Sequence, residues 1–327
     1  MRLLLSLCLV GCAEFSLPTT FPERAAGQPL IQEQALLGLH ASGDGAVAEL
    51  IDAEAEPPRL LLHAWSREGK PARPLLAAPD AVAREAADEL RKSASRTVPL
   101  LAGIVAARWP EALARVAAEG FAAPLPAPRE PGRARWPVHG KAAPLALRLS
   151  ESSSAAALWL AERPGGQSAG DEVELARMPL LGASIEPQVF VAGRAAWMLA
   201  GSTGGRPVRR TVGLRVASLA RGEAELHNGH GLADYAAGDL DAARREFQRA
   251  IAADPRFLDC LYNAAAVAAL SGRDEEAIGF LRRAADIDPR RVQVLGRTDE
   301  DLRLLRKRAA VRGLLGLRRT SPSDIDR

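Results

Sequence analysis

The sequence predicts an α+β protein: a β-rich N-terminal domain with a helical insertion, followed by an all-α array of helical hairpins. Three observations carry this. Short apolar runs separated by Gly- and Pro-containing turns fill residues 31–219. Within that stretch the hydrophobic period becomes helical over about residues 80–119 and then reverts. From Glu223 onward the chain is helical and self-similar at a spacing of 34 residues. A length of 327 residues suits about two domains. A composition of 47% hydrophobic and 25% charged residues supports a packed core. Aromatics make up only 4% of the chain while 64 residues are alanine, so that core must be built from Ala, Leu and Val.

The charge pattern argues against nucleic acid as a partner. The 43 basic and 40 acidic side chains leave a net charge of +3, with the signs interspersed. Nucleic-acid binding needs a clustered basic stripe. The densest basic stretch, Arg303 to Arg312, directly follows Asp299, Glu300 and Asp301. The cysteines are Cys8, Cys12 and Cys260, without a Cys-x-x-Cys pair, so a zinc ribbon and thioredoxin-type chemistry are excluded.

The N-terminus reads as an address. Arg2 precedes an apolar run from Leu3 to Val10, interrupted only at Ser6. The run is far shorter than the about 20 residues a transmembrane helix needs, and it fits the apolar region of a signal peptide. It ends in Leu9-Val10-Gly11-Cys12, which resembles the lipobox of bacterial lipoproteins. The resemblance implies cleavage after residue 11, thioether attachment of a diacylglyceryl group at Cys12, and acylation of the new N-terminus with palmitate-type chains. Three chains at about 0.8 kcal/mol per buried CH2 anchor far more firmly than one. By the same resemblance, Ala13 in place of Asp implies the outer membrane, with the protein facing the periplasm. Residues 12–30, with Pro18, Pro22, Gly27 and Pro29, read as a tether.

In the β-rich domain the spacing predicts strands at Ala35 to Leu39, Val47 to Ile51 and Arg59 to Trp65, with turns at Gly43-Asp44-Gly45 and Glu56-Pro57-Pro58. A helix starts at Asp80 and turns Val82, Ala86, Ala87 and Leu90 to one side. A second starts near Pro99 and buries Leu101, Ile104 and Val105; Pro110 breaks it after Trp109, and Ala112 to Ala118 resumes. Residues 121–143, with Pro124, Pro126, Pro128, Pro131 and Pro137, read as an extended connector. Strands then return at Leu145 to Leu149, Ala156 to Leu160, Val173 to Ala176, Gln188 to Ala192, Ala195 to Ala200 and Val212 to Leu219. Pro164-Gly165-Gly166 and Gly204-Gly205 read as turns, Gly193-Arg194 as a tight hairpin, and the sheet as antiparallel.

In the C-terminal part, residues 220–318, Gly238, Ala243, Phe247, Ala250, Asp254 and Pro255 recur as Gly272, Ala277, Leu281, Ala284, Asp288 and Pro289, each pair 34 apart. This segment resembles two tetratricopeptide repeats, roughly 224–257 and 258–291. Each repeat is a helical hairpin. Gly238 and Gly272 suit the left-handed turn that ends the first helix, the alanines allow close helix approach, and Phe247 and Leu281 fill the space between. Residues 292–318 read as a capping segment with Leu302, Leu305, Val311, Leu314 and Leu315 inward, and 319–327 as a tail. The first helix departs from the family, with His227 and His230 where Trp and Leu are favoured, and is expected to dock on the β-rich domain.

Two catalytic signatures are missing: the chain has no Walker loop and no His-Glu-x-x-His. His227, His230 and Asp234 share a helix face and are weighed as metal ligands, but packing or hydrogen bonding is the favoured reading, so no metal or cofactor is expected. His40, His63 and His139 read as satisfied structural histidines, Cys260 as an inert buried thiol, and Trp65, Trp109, Trp159 and Trp197 as core, with Trp136 set apart in the connector. The repeat resemblance implies a concave partner-binding face at Asn228, Leu232, Tyr235, Asp259, Tyr262 and Asn263. The expectation is a non-enzymatic, lipid-anchored envelope protein that binds or assembles protein partners. The alternative is an enzyme or ligand-binding protein using a cleft in residues 31–219, with the repeats purely structural.

Overall fold

The computed structural model describes residues 31–51, 57–92, 100–126, 135–139, 144–162, 172–180, 182–204 and 209–317. The segment with Cys12, the tether, Pro99, the Pro164-Gly165-Gly166 turn, Gly205 and the tail lie outside the described residues.

Among the described residues, eleven strands make two sheets. The strands are β1 (Ile31–Leu39), β2 (Gly45–Ile51), β3 (Arg59–Trp65), β4 (Pro71–Ala77), β5 (Arg135–His139), β6 (Pro144–Glu151), β7 (Ala155–Glu162), β8 (Glu172–Pro179), β9 (Ala183–Ala192), β10 (Ala195–Gly204) and β11 (Arg209–Ser218). The larger sheet runs β4-β3-β2-β1-β11-β10-β9, and the smaller runs β5-β6-β7-β8. Two strands were not expected: β4, and β5 within the proline-rich connector. β5 pairs Pro137 with Ala146 at the sheet's edge, where a missing N–H is tolerated. The sheet is also not wholly antiparallel, because β1 and β11 pair in parallel.

That parallel join is held by buried polar side chains. Arg210 on β11 donates from Nε to Glu33 Oε2 on β1 at 2.7 Å, with both side chains almost fully buried. Glu33 also accepts from the Leu101 amide at 3.1 Å, satisfying a free N–H in the first turn of a helix. Beside it, Gln34 accepts from the Leu214 amide at 2.9 Å and donates to Glu49 at 3.0 Å.

The helical insertion comprises α1 (Asp80–Lys92), α2 (Leu100–Arg108) and α3 (Pro110–Ala118). Ala83, Ala86, Ala87, Leu90, Leu101, Ile104, Val105 and Trp109 pack on Ala35, Ala46, Ala48, Leu50, Leu60 and Leu62 of the large sheet. Val82 lies at this core's edge, partly buried, while Ala83 takes the central position. Elsewhere Trp197 on β10 donates to the Gly43 carbonyl, between β1 and β2, at 3.1 Å. Its ring also passes so close to Gly45 that a Cβ there would meet it at 2.5 Å. Trp65, Trp109 and Trp197 are core, whereas Trp159 is half-buried and donates to Ser150 at 2.9 Å.

The small sheet closes over Val189, Ala196, Met198 and Ala200, and Leu219 and Leu226 from the next helix complete this core. Five helices follow: α4 (Leu219–Ala237), α5 (Leu240–Ala253), α6 (Leu258–Leu270), α7 (Asp274–Ile287) and α8 (Pro289–Thr298). They are followed by two 3-10 turns (Glu300–Leu302, Leu305–Lys307) and α9 (Ala309–Leu314). Gly238 ends α4 at φ 85° and Gly272 follows α6 at φ 71°, conformations that an L side chain rarely adopts. Phe247 and Leu281 are fully buried, as are Ala243, Ala250, Ala277 and Ala284.

Candidate functional site

The six residues expected on the repeat face sit on the first helices of the two hairpins, α4 and α6. Asn263 donates to Asn228 Oδ1 at 3.0 Å, linking the two helices. Leu232 and Tyr235 are partly buried against the Phe247 cluster.

The chain's own capping segment occupies much of this face. The Tyr262 hydroxyl donates to Asp299 Oδ2 at 2.6 Å, and the Tyr235 hydroxyl donates to Asp301 Oδ2 at 2.7 Å. Arg291 on α8 pairs with Asp259 at 2.7 Å. Arg306 fixes the segment from behind, donating to the carbonyls of Gly296 at 3.2 Å and Asp299 at 2.5 Å. Arg308 pairs with Asp274. Beneath these contacts Val292, Leu302, Leu305, Val311 and Leu315 are buried against α6 and α7, with Leu314 partly so. The outer face of this cap is not wholly polar, because Val294 and Leu304 are exposed.

The electrostatics follow from the burial. Burial pushes the pKa of the Tyr235 and Tyr262 phenols up, and the facing carboxylates push it further, so both stay protonated donors. Burial likewise raises the Asp301 carboxyl, the hydrogen bond from Tyr235 opposes this, and the negative charge of Asp299 adds to the rise. The arrangement binds a short acidic 3-10 turn of the chain through phenol hydroxyls. Sequence reasoning missed Asp299 and Asp301 as its occupants; their only signal was an acidic triplet before a basic run.

The helix that differs from the family pattern docks on the β-rich domain, as expected. Gly222 on α4 lets Leu175 and Leu160 approach so closely that a Cβ would lie 2.3 Å from Leu175. Arg194, in the two-residue β9–β10 turn, pairs with the fully buried Glu223 at 2.5 Å, and its carbonyl accepts from the Leu219 amide at 2.8 Å. His227 and His230 are not brought together with Asp234. The group whose ligand atoms converge, among the described residues, is Glu162, His227 and His230. Glu162 lies 65 residues earlier in the chain than His227, on another element, and nothing in the spacing marked it.

The remaining histidines differ in part from expectation. His40 is exposed and bonded to Ser42 at 2.8 Å, while His63 keeps a buried Nδ1 with no hydrogen-bond partner among the described residues. The side chain of His139 lies outside the described residues, as does that of Trp136. Cys260 is buried and donates weakly to the Phe247 carbonyl at 3.3 Å, and burial pushes its thiol pKa up, which disfavours the reactive thiolate. An open polar groove lies between the two repeat turns, lined by Gly238, Asp239, Asp241, Ser271 and Arg273. No described helix is long and apolar enough to cross a membrane.

The chain matches no curated protein. A tetratricopeptide repeat family model matches residues 234–296, from the last turn of α4 into α8. Repeats of this family generally mediate protein–protein interaction.

Proposed function

We propose that this chain is a lipid-anchored bacterial envelope protein whose repeats bind or assemble protein partners without catalysis. The observation that carries the reading is the repeat face itself. Its residues Tyr235, Asp259, Tyr262 and Asn263 fall within the segment matched by the family, and its tyrosine hydroxyls already hold an acidic stretch of chain in cis. The proposed partner presents a similar short acidic segment, meeting Tyr235 and Tyr262 where the cap now sits, beside Asn228 and Asn263. Anchoring rests on the Leu9-Val10-Gly11-Cys12 sequence, with the periplasmic face of the outer membrane as the proposed location. The β-rich domain spaces the repeats from the membrane.

The test is crosslinking of the full-length protein in its own membrane, followed by mass spectrometry. Asp299→Asn with Asp301→Asn weakens the cap's hold on the tyrosines and should raise partner capture; Tyr235→Phe with Tyr262→Phe should lower it. A partner set unchanged by both doubles overturns the assignment of this face. The same digest reports the N-terminal peptide. A diacylglyceryl mass on Cys12 is expected, and an unmodified Cys12 sinks the anchor.

A further inference from the structure

We infer that Glu162, His227 and His230 form a site for a zinc-class divalent ion at the joint between the small sheet and the repeats. Two histidines three residues apart share one helix face. Their rings lie 6.1 Å apart, centroid to centroid, at the edge of α4 that meets β7. Glu162, the last residue of β7, brings its carboxylate to 3.8 Å from His227 Nδ1. Each of the three residues offers a ligand atom within 4.8 Å of the other two. Zinc bonds to nitrogen and oxygen are about 2.0–2.2 Å, so ligand atoms around one ion stand about 3–4 Å apart. Only a small contraction of the cluster is required.

The second observation is the state of His227. Its side chain is 1% exposed. Nδ1 lies 2.9 Å from Glu246 Oε2 on α5, while Nε2 is buried with no hydrogen-bond partner among the described residues. A buried ring nitrogen left without a partner is costly. Carboxylates on the far nitrogen of an imidazole are also what orient histidine ligands around metals. Glu246 is itself steadied by Arg249 at 2.5 Å, and its Oε2 lies 3.9 Å from His230 Nδ1. An ion on Nε2 gives that orphan nitrogen its partner and leaves the Glu246 contact on Nδ1 in place, which requires the Glu162 carboxylate, 3.8 Å from Nδ1, to shift toward Nε2.

The donor set selects the ion. Two imidazoles and one carboxylate suit zinc or cobalt, whereas calcium and magnesium require mostly oxygen. A bound ion ties β7 to α4 across a seam that Arg194–Glu223 closes at another point. The site therefore stiffens the joint that aims the repeats.

The experiment uses tag-free full-length protein in detergent, stripped by chelator and titrated with zinc chloride and with cobalt chloride. One zinc per chain is expected, with visible cobalt absorption of an imidazole–carboxylate site and a rise in Tm on adding zinc. Glu162→Gln and His230→Gln should each weaken zinc binding at least tenfold and abolish the Tm rise, and Glu246→Gln should weaken it by about tenfold through ring orientation. Circular dichroism verifies that each variant is folded. The half-exposed Glu162 serves as the primary variant because its loss removes a ligand without opening the core. Folded wild-type protein that takes up no stoichiometric zinc, or a Glu162→Gln variant that binds as tightly as wild type, overturns the site.

Discussion

The first helices of the two hairpins, α4 and α6, hold the same place in the repeat but live in different surroundings. α6 is enclosed by other helices, and Leu258, Cys260, Leu261, Tyr262 and Ala264 through Ala268 are buried. α4 has one side in the hairpin and the other on the β-rich domain. Its buried residues include Glu223 and His227 beside Leu219, Ala224 and Leu226. A helix facing only its own kind can be apolar all round. A helix that must also meet a sheet at one angle carries polar pairs, which have few geometries that satisfy them. The family match starts at residue 234 and leaves most of α4 outside. The departure from the pattern coincides with the docking surface.

The largest expected effect tests what the two hairpins share. Phe247→Ala empties the fully buried centre of the first hairpin and should cost about 3–5 kcal/mol. Leu281→Ala, its counterpart 34 residues on, should cost about 2–5 kcal/mol. Urea denaturation of the two variants checks this. A Phe247→Ala cost below that of a surface substitution would mean that docking alone holds α4 in place.

The next tests what they do not share. Glu223→Gln removes the charge that pairs Arg194 with a fully buried carboxylate, and hydrogen bonds to charged groups contribute about 1.5–3 kcal/mol. A loss of about 2 kcal/mol is expected, accompanied by faster amide exchange in the first turns of α4 and not in α6. Equal loss of protection in both helices would break the distinction.

Much of this organisation was legible because it is local. The alternating runs gave most strands, the 34-residue spacing gave both hairpins, and the capping leucines marked the end of the array. What was hidden is long-range. Gln32 pairs with Thr211 in the parallel join of β1 to β11, and no periodicity announces a partner 179 positions away. Glu33 and Arg210 carried the clue, yet a single charged residue in a strand reads as a solvent-facing one until its partner is known. β5 was masked by Pro137, which fits there only because the strand is an edge. In the candidate site, the tyrosines and asparagines were readable from the repeat register. Their occupants Asp299 and Asp301, and Glu162 beside the histidines, were not, because tertiary folding alone brings them close.

A smaller effect sharpens the comparison at one atom. Gly231 and Ala265 are equivalent, 34 apart. Alanine is the better helix former by about 1 kcal/mol, so propensity alone predicts that Gly231→Ala stabilises. The structure reverses the sign. A Cβ at residue 231 would lie 2.7 Å from the Phe247 ring, which is itself enclosed and must move. Overpacking of this kind costs about 1–3 kcal/mol, leaving a net loss of about 1 kcal/mol after the propensity gain. A midpoint shift to lower urea at unchanged slope checks it, and a shift to higher urea would show that Phe247 has room to retreat.

The smallest effect concerns the cap. The Asp301 carboxyl is raised above its ordinary value of 3.8, first by burial and then by Asp299 and Glu300, against the hydrogen bond from Tyr235. A carboxyl raised on folding favours the folded form while protonated. Its contribution is fully present below the ordinary value and is lost as pH rises through the higher folded value. Cap protection in the 3-10 turn at Leu302 should therefore weaken slightly on going from mildly acidic to neutral pH, once amide exchange is corrected for intrinsic rate. Asp301→Asn should flatten that slope and leave the protection of α6 unaltered. A slope that survives the substitution would overturn the assignment of the pH response to Asp301. The acidic segment would then be held on the repeat face by one tyrosine contact, Tyr262 to Asp299, and a competing partner would have only that contact to displace.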